Sequence, residues 1–136
     1  MSERLIYLDS SAIVKLVLPE PETEALLELL AGNPERITSA LARVEVMRAA
    51  RRVGESASTI RRAEEVLNRL GLFKVDTEVI KIAAGLDPRG LRALDAIHLA
   101  TALCLGDQLG GMVVYDTQLA EAAEANGLSV LAPGRG

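Results

Sequence analysis

Two short apolar runs each end on an aspartate: Leu5-Ile6-Tyr7-Leu8 precedes Asp9, and Met112-Val113-Val114-Tyr115 precedes Asp116. Runs this short with no polar alternation read as strands buried on both faces, the situation of strands in a parallel sheet covered by helices. The rest of the chain supplies those helices. One runs from Ala12 to Leu18, and a second starts at Pro21 with Leu26, Leu27 and Leu30 on one face, until Asn33-Pro34 ends it. Arg36-Ile37-Thr38 reads as a strand, Ser39 as the cap of a helix from Ala40 to Val53, and Ser58 to Leu70 as a further helix. Leu72 to Val75 reads as a strand and Thr77 to Ala84 as a helix. After the Asp87-Pro88-Arg89-Gly90 loop comes a helix from Leu91 to Leu105. Gly106, Gly110 and Gly111 mark a turn before the Met112 strand, with Leu119 to Ala125 helical and Leu128 to Leu131 a last strand. Strands alternating with helices predict an α/β fold of three layers, α/β/α, with a central, mostly parallel sheet flanked by helices.

The chain has 136 residues, 49% of them hydrophobic, which suits a single domain over 1–136 with a sizeable core. Leucine and alanine dominate the apolar content, and Tyr7, Phe73 and Tyr115 are the only aromatics, too few for base-stacking platforms. Cys104 and His98 are each the sole residue of their kind, which excludes zinc clusters, disulfides and Cys-x-x-Cys redox motifs. A lone thiol suits a reducing cytoplasm. The apolar run before Asp9 is too short for a signal peptide, and no run approaches the roughly 18 residues of a membrane span, so a cytoplasmic protein without a membrane partner is expected.

The net charge of −4 conceals a segregation: the stretch 36–92 holds 12 basic and 7 acidic side chains, between two acidic flanks. Two of the acids, Asp9 and Asp116, stand at the carboxyl ends of the two buried strands, the edge where the ligand crevice of an open α/β sheet lies. An acid there is equally a helix cap or turn residue. Two others project from largely apolar helix faces. Glu45 has Leu41 and Ala49 one turn away, and Asp95 has Leu91 and Leu99. A carboxylate turned toward a core needs a partner; Arg48 and Arg92 offer local ion pairs. If the four acids converge, their repulsion raises their pKa values unless a divalent cation neutralises it. Oxygen-only ligation without a histidine or cysteine cluster favours Mg²⁺ or Mn²⁺ over zinc, and such sites do phosphoryl chemistry.

Four motifs together, Leu8-Asp9-Ser10-Ser11-Ala12, Ala42-Arg43-Val44-Glu45-Val46, Leu94-Asp95-Ala96-Ile97-His98-Leu99-Ala100 and Val114-Tyr115-Asp116-x-x-Leu119-Ala120, resemble those of the PIN-domain ribonucleases, specifically the VapC toxins of toxin-antitoxin modules. The resemblance spans nearly the whole chain, in order. It implies a PIN-like α/β/α fold and a Mg²⁺- or Mn²⁺-dependent endoribonuclease. Asp9, Glu45, Asp95 and Asp116 would be its catalytic and metal-holding acids, and Ser11 the supporting hydroxyl. It also implies an RNA substrate, a homodimer and a cognate VapB-type antitoxin. Members often carry Thr or Ser two residues before the last acid, where this chain has Val114, so Asp116 is expected to lack that support.

The remaining candidates carry a plain reading beside a functional one. His98, three residues after Asp95, binds phosphate or orients water in one reading and is a buried structural histidine in the other. Cys104 reads as core. Arg43, Arg48, Arg51 and Arg52 form a basic run, with Arg61, Arg62 and Arg69 on the next helix. This describes a solvated helix face, or contact with an RNA backbone or an acidic partner. The competing function class is a noncatalytic PIN-like or receiver-like module that binds a protein or nucleic acid, its acids serving as caps and ion pairs.

Overall fold

The computed structural model describes residues 4–54 and 56–135. The chain runs β1 (Leu5–Leu8), α1 (Ser10–Val17), α2 (Thr23–Gly32), β2 (Arg36–Ser39), α3 (Leu41–Arg52), α4 (Ala57–Asn68), β3 (Gly71–Phe73), α5 (Thr77–Ala84), α6 (Ala93–Cys104), β4 (Leu109–Val113), α7 (Thr117–Ala125) and β5 (Val130–Leu131). The five strands form one sheet in the order β3-β2-β1-β4-β5. Each pairing is parallel. The expected three-layer architecture is therefore present, with a sheet that is parallel throughout.

Alternation along β1 divides the interior in two. Ile6 and Leu8 face a cluster built from Ile13, Leu16, Leu26, Leu30, Val46 and Leu67 of α1 to α4. Tyr7 faces the other way, onto Leu99, Met112, Leu119 and Ala123, with α6 and α7 covering that side. This explains why the strands read as unbroken apolar runs: both of their faces are core. Among the described residues no helix is long and apolar enough to cross a membrane.

Three sequence expectations shift. β4 begins at Leu109 and ends at Val113, so Gly110 and Gly111 are strand residues and not turn punctuation. A Cβ at Gly110 would stand 2.9 Å from the Arg4 Cβ, and one at Gly111 2.8 Å from the Leu131 Cδ1. The glycines let neighbouring strands close where the β1–β4 register shifts between Leu5 and Ile6. Val114 and Tyr115 lie past the strand, although the Val114 amide still donates to the Leu131 carbonyl at 3.0 Å. Ser39 closes β2, and Ala40 is the cap position of α3; the Ser39 Oγ nevertheless accepts from the Leu41 amide at 3.1 Å.

Strand order reverses between β1 and β4: from β1 the chain moves outward to β2 and β3, and later returns beside β1 to build β4 and β5. The carboxyl ends of β1 and β4 thus flank the switch point, where such sheets open a crevice. Asp9 and Asp116 stand at these two ends.

Candidate active site

Asp9 is the N-cap of α1, its Oδ1 accepting from the Ala12 amide at 2.9 Å. The Ser11 hydroxyl donates to the same carboxylate, at 2.9 Å to Oδ1 and 3.1 Å to Oδ2. Ser11 and the Ala12 amide thus hold the Asp9 carboxylate from two sides. Asp9 is only 4% exposed. Burial pushes its carboxyl up to about 6, assisted by the negative charge of Asp95, against the pull of the Ala12 amide, His98 and Ser11.

Glu45, midway along α3, is met by Ser10 and His98. The Ser10 Oγ donates to Glu45 Oε1 at 2.5 Å, and His98 Nε2 lies 2.8 Å from the same oxygen. Half-burial pushes the Glu45 carboxyl up, but the hydrogen bonds from His98 and Ser10 outweigh it and hold the group below the usual range. Both contacts fall on Oε1, which leaves Oε2 outside the pairing. Arg48, the partner that helical spacing offered, is exposed.

Asp95 occupies the first turn of α6. Burial raises its pKa, and the charges of Asp116 and Glu45 push the same way against His98 and Arg92. Asp116 caps α7, its Oδ2 accepting from the Leu119 amide at 2.9 Å. It is exposed, and Val114, two residues before it, is buried and offers no hydroxyl. The cap reading and convergence hold together: Asp95 feels Asp116, Glu45 feels His98 beside Asp95, and Asp9 feels Asp95. Asp95 is thus coupled through its charge to Asp9, Glu45 and Asp116.

The family model for the PIN domain matches residues 6–125. The chain belongs to the PIN-domain family. Ribonuclease VapC46 of Mycobacterium tuberculosis is 52% identical over 128 residues, covering 94% of this chain and 97% of that protein. A toxin-antitoxin complex from Klebsiella pneumoniae matches with a TM-score of 0.71 at 21% identity, covering 94% of this chain and 97% of that one. The structure of FitAB bound to an IR36 DNA fragment gives 0.74 at 19% identity over 96% of each chain. At these identities the two structures speak for the PIN fold.

Within this PIN domain two residues gain parts that spacing alone did not give them. His98 is 1% exposed, with Nδ1 2.7 Å from the Tyr7 hydroxyl and Nε2 within 3.1 Å of the Ser10 Oγ as well as on Glu45. It is the buried structural histidine of the plain reading, and it also holds Glu45. Ser10 has no signature beyond standing beside Asp9; only the approach of α3 to α1 reveals it. The arginines divide: Arg43 donates to the Asn68 side chain at 3.0 Å, Arg48 and Arg51 are exposed, and Arg52 lines a cleft of about 350 Å³ with Ser10, Ser11, Lys15, Glu20 and Glu45.

The donor set is all oxygen, with the carboxyls of Asp9 and Asp95 raised in pKa by burial and by neighbouring carboxylates. That chemistry fits a hard divalent cation. Among the described residues no three His, Cys, Asp or Glu side chains are drawn together closely enough to hold an ion by themselves. The arrangement fits an ion that keeps several waters and takes one or two carboxylates, the habit of Mg²⁺, and not an all-protein cage.

Proposed function

We propose that this PIN domain is a Mg²⁺- or Mn²⁺-dependent endoribonuclease, the toxin of a toxin-antitoxin pair. The observation that carries the reading is that Asp9 and Asp116 follow the two strands flanking the sheet's switch, and that the charge of Asp95 acts on the buried Asp9, whose carboxyl is raised to about 6, while those of Asp116 and Glu45 act on Asp95. A buried carboxyl raised in this way at the edge where an open α/β sheet forms its crevice supports a functional site.

Asp9 and Asp95 are the residues to hold the ion, with Asp116 and Glu45 completing its surroundings. When bound, such an ion supplies an acidified water and neutralises charge on the scissile phosphate. Glu45, kept ionised by His98 and Ser10, is suited to accept a proton at Oε2 from an attacking water. Ser11 and the Ala12 amide fix the Asp9 carboxylate, so that its rotamer does not change as charge develops.

The similarity to VapC46, and to a fold seen in a toxin-antitoxin complex, supports a VapB-type antitoxin as partner, and the homodimer is what the family resemblance implies. The lone free thiol of Cys104 fits a cytoplasmic protein. Defined RNAs incubated with purified protein are expected to be cut with Mg²⁺ or Mn²⁺ and left intact with EDTA. Cutting that persists in EDTA would refute the metal dependence; no cutting under any metal would favour the noncatalytic module.

Arg52 stands in the cleft beside Ser11 and Glu45, where an RNA backbone approaching the acids would pass. Arg52→Ala is expected to weaken RNA binding several-fold at low salt and to reduce the slope of log K against log salt by about 1. A salt slope identical to the parent's would remove Arg52 from the RNA path.

A further inference from the structure

Outside the acids, the most densely built polar cluster joins α1, the α1–α2 turn, the end of β4 and the segment 132–135. Lys15, on α1 and 6% exposed, reaches Glu20 at 3.1 Å and Glu22 at 3.0 Å, with its ammonium 4.7 Å from the centre of the Tyr115 ring. The other cation at that ring is Arg135, whose guanidinium carbon lies 5.5 Å from the same centre. Its Nη1 donates to the Tyr115 carbonyl at 2.7 Å and its Nη2 to Glu22 Oε2 at 3.4 Å. The Tyr115 hydroxyl in turn donates to the Pro133 carbonyl at 2.8 Å. Gly134 makes the turn possible: its φ is +86°, and a Cβ there would stand 3.1 Å from the Glu22 Cα.

Nothing in the acid chemistry requires this cluster, yet it holds the residue immediately before Asp116. The β4 ladder ends at Val113, and the last sheet bond on this stretch is the Val114 amide to Leu131. Beyond it, the Tyr115 carbonyl belongs to the same rigid peptide plane as the Asp116 nitrogen. A donor fixed on that carbonyl sets the plane from which Asp116 departs. Arg135 is that donor, itself oriented by Glu22 and the Tyr115 ring. Two residues on, where Asp9 has Ser11, Asp116 has Gln118, and its carboxylate is met by the Leu119 amide, so backbone fixation is the support shown for it.

We propose that Arg135 is a positioning residue for Asp116, acting through the Tyr115–Asp116 peptide. This rests on the reading of Asp116 as part of a cation site. The Arg135 side chain is 52% exposed, so its removal leaves no cavity.

The test is a double-mutant cycle between Arg135→Ala and Asp116→Ala, with Arg135→Lys as rescue. Three quantities are read: the melting temperature of the metal-free protein, the Mn²⁺ dissociation constant by calorimetry, and kcat and KM for RNA cleavage. Arg135→Ala should melt near the parent's temperature, bind Mn²⁺ roughly 10-fold more weakly, as loss of an outer-shell partner does, and lower kcat with KM unchanged. Arg135→Lys should recover most of both. In the Asp116→Ala background, Arg135→Ala should add almost nothing. Equal losses in both backgrounds, or a raised KM with Mn²⁺ affinity intact, would overturn the proposal and make Arg135 a general brace or an RNA contact. If Asp116→Ala itself keeps Mn²⁺ affinity and cleavage while Asp9→Asn loses both, the proposal fails and the metal-ribonuclease reading stands. If Asp9→Asn also keeps both, that reading is what has failed.

Discussion

Asp9→Asn should cut RNA on the order of 10³-fold more slowly than the parent and, without metal, be the more stable protein at neutral pH. The first effect follows from the worth of a metal-held charge in the transition state, several kcal/mol at about 1.4 kcal/mol per tenfold. The second follows from the raised pKa. In the unfolded chain the Asp9 carboxyl has its ordinary value of 3.8, and in the fold it is pushed up to about 6, chiefly by burial. Between those values the folded protein holds a proton that the unfolded chain has released. Stability from this group is therefore greatest below the lower value and declines as pH rises through the upper one. Two pK units set a ceiling of about 3 kcal/mol on the decline. Asparagine cannot ionise, and its side-chain oxygen still accepts from the Ala12 amide as an N-cap.

Denaturant titrations in EDTA at pH 4.5 and pH 7.5 check the stability claim. Asp95 is shifted the same way and Glu45 the opposite way, so neither protein alone isolates Asp9. The difference between parent and variant does. That difference should favour Asp9→Asn at pH 7.5 and shrink at pH 4.5; a parent that is the more stable at both would show the carboxylate to be well solvated. Mn²⁺ should stabilise the parent and leave the variant unmoved. At metal concentrations below saturation, cleavage by the parent should weaken as the pH drops toward about 6, because a proton on Asp9 competes with the cation, and saturating Mn²⁺ should move that loss to lower pH.

The parts of this molecule that sequence reveals are those decided locally. Leu5 to Leu8 reads as a strand because four apolar residues bounded by Asp9 have no other favourable arrangement, and Asp9 and Asp116 are conspicuous because each breaks such a run. Glu45 and Asp95 stand out by contradiction with the apolar faces that carry them. What escapes is set by contacts across distance. Gly110 and Gly111 look like a turn because glycine's usual local role is conformational; here its role is to have no side chain against Arg4 and Leu131. The Arg48 pairing suggested by helix spacing loses to partners on other elements, since Glu45 is met by Ser10 of α1 and His98 of α6, whereas Arg92 does act on Asp95 through its charge. Lys15 appears in the sequence as an ordinary charge on a short helix. Its two glutamates lie in the adjoining α1–α2 turn, but its burial also needs the ring of Tyr115, which stands far along the chain.

His98→Ala should destabilise the protein by about 3–5 kcal/mol and lower its melting temperature by roughly 10 °C or more. The imidazole is 1% exposed, stands edge-on to the Tyr7 ring at 5.8 Å, and has both nitrogens engaged by Tyr7, Glu45 and Ser10. Its removal opens a void between β1 and α6 and takes a partner from the buried Tyr7 hydroxyl. The Glu45 carboxyl, released from the bond that holds its pKa down, should titrate higher. Glu45→Gln is the instructive contrast: its amide oxygen can still accept from Ser10 and His98, so the cost in stability should be under about 1 kcal/mol, with cleavage nonetheless strongly reduced because the charge is gone. Thermal melts of the two variants beside RNA cleavage rates separate scaffold from chemistry. A His98→Ala protein that melts with the parent would mean that water replaces the imidazole at low cost; Glu45→Gln cutting RNA at the parent's rate would take Glu45 out of the reaction and leave it an anchor for α3.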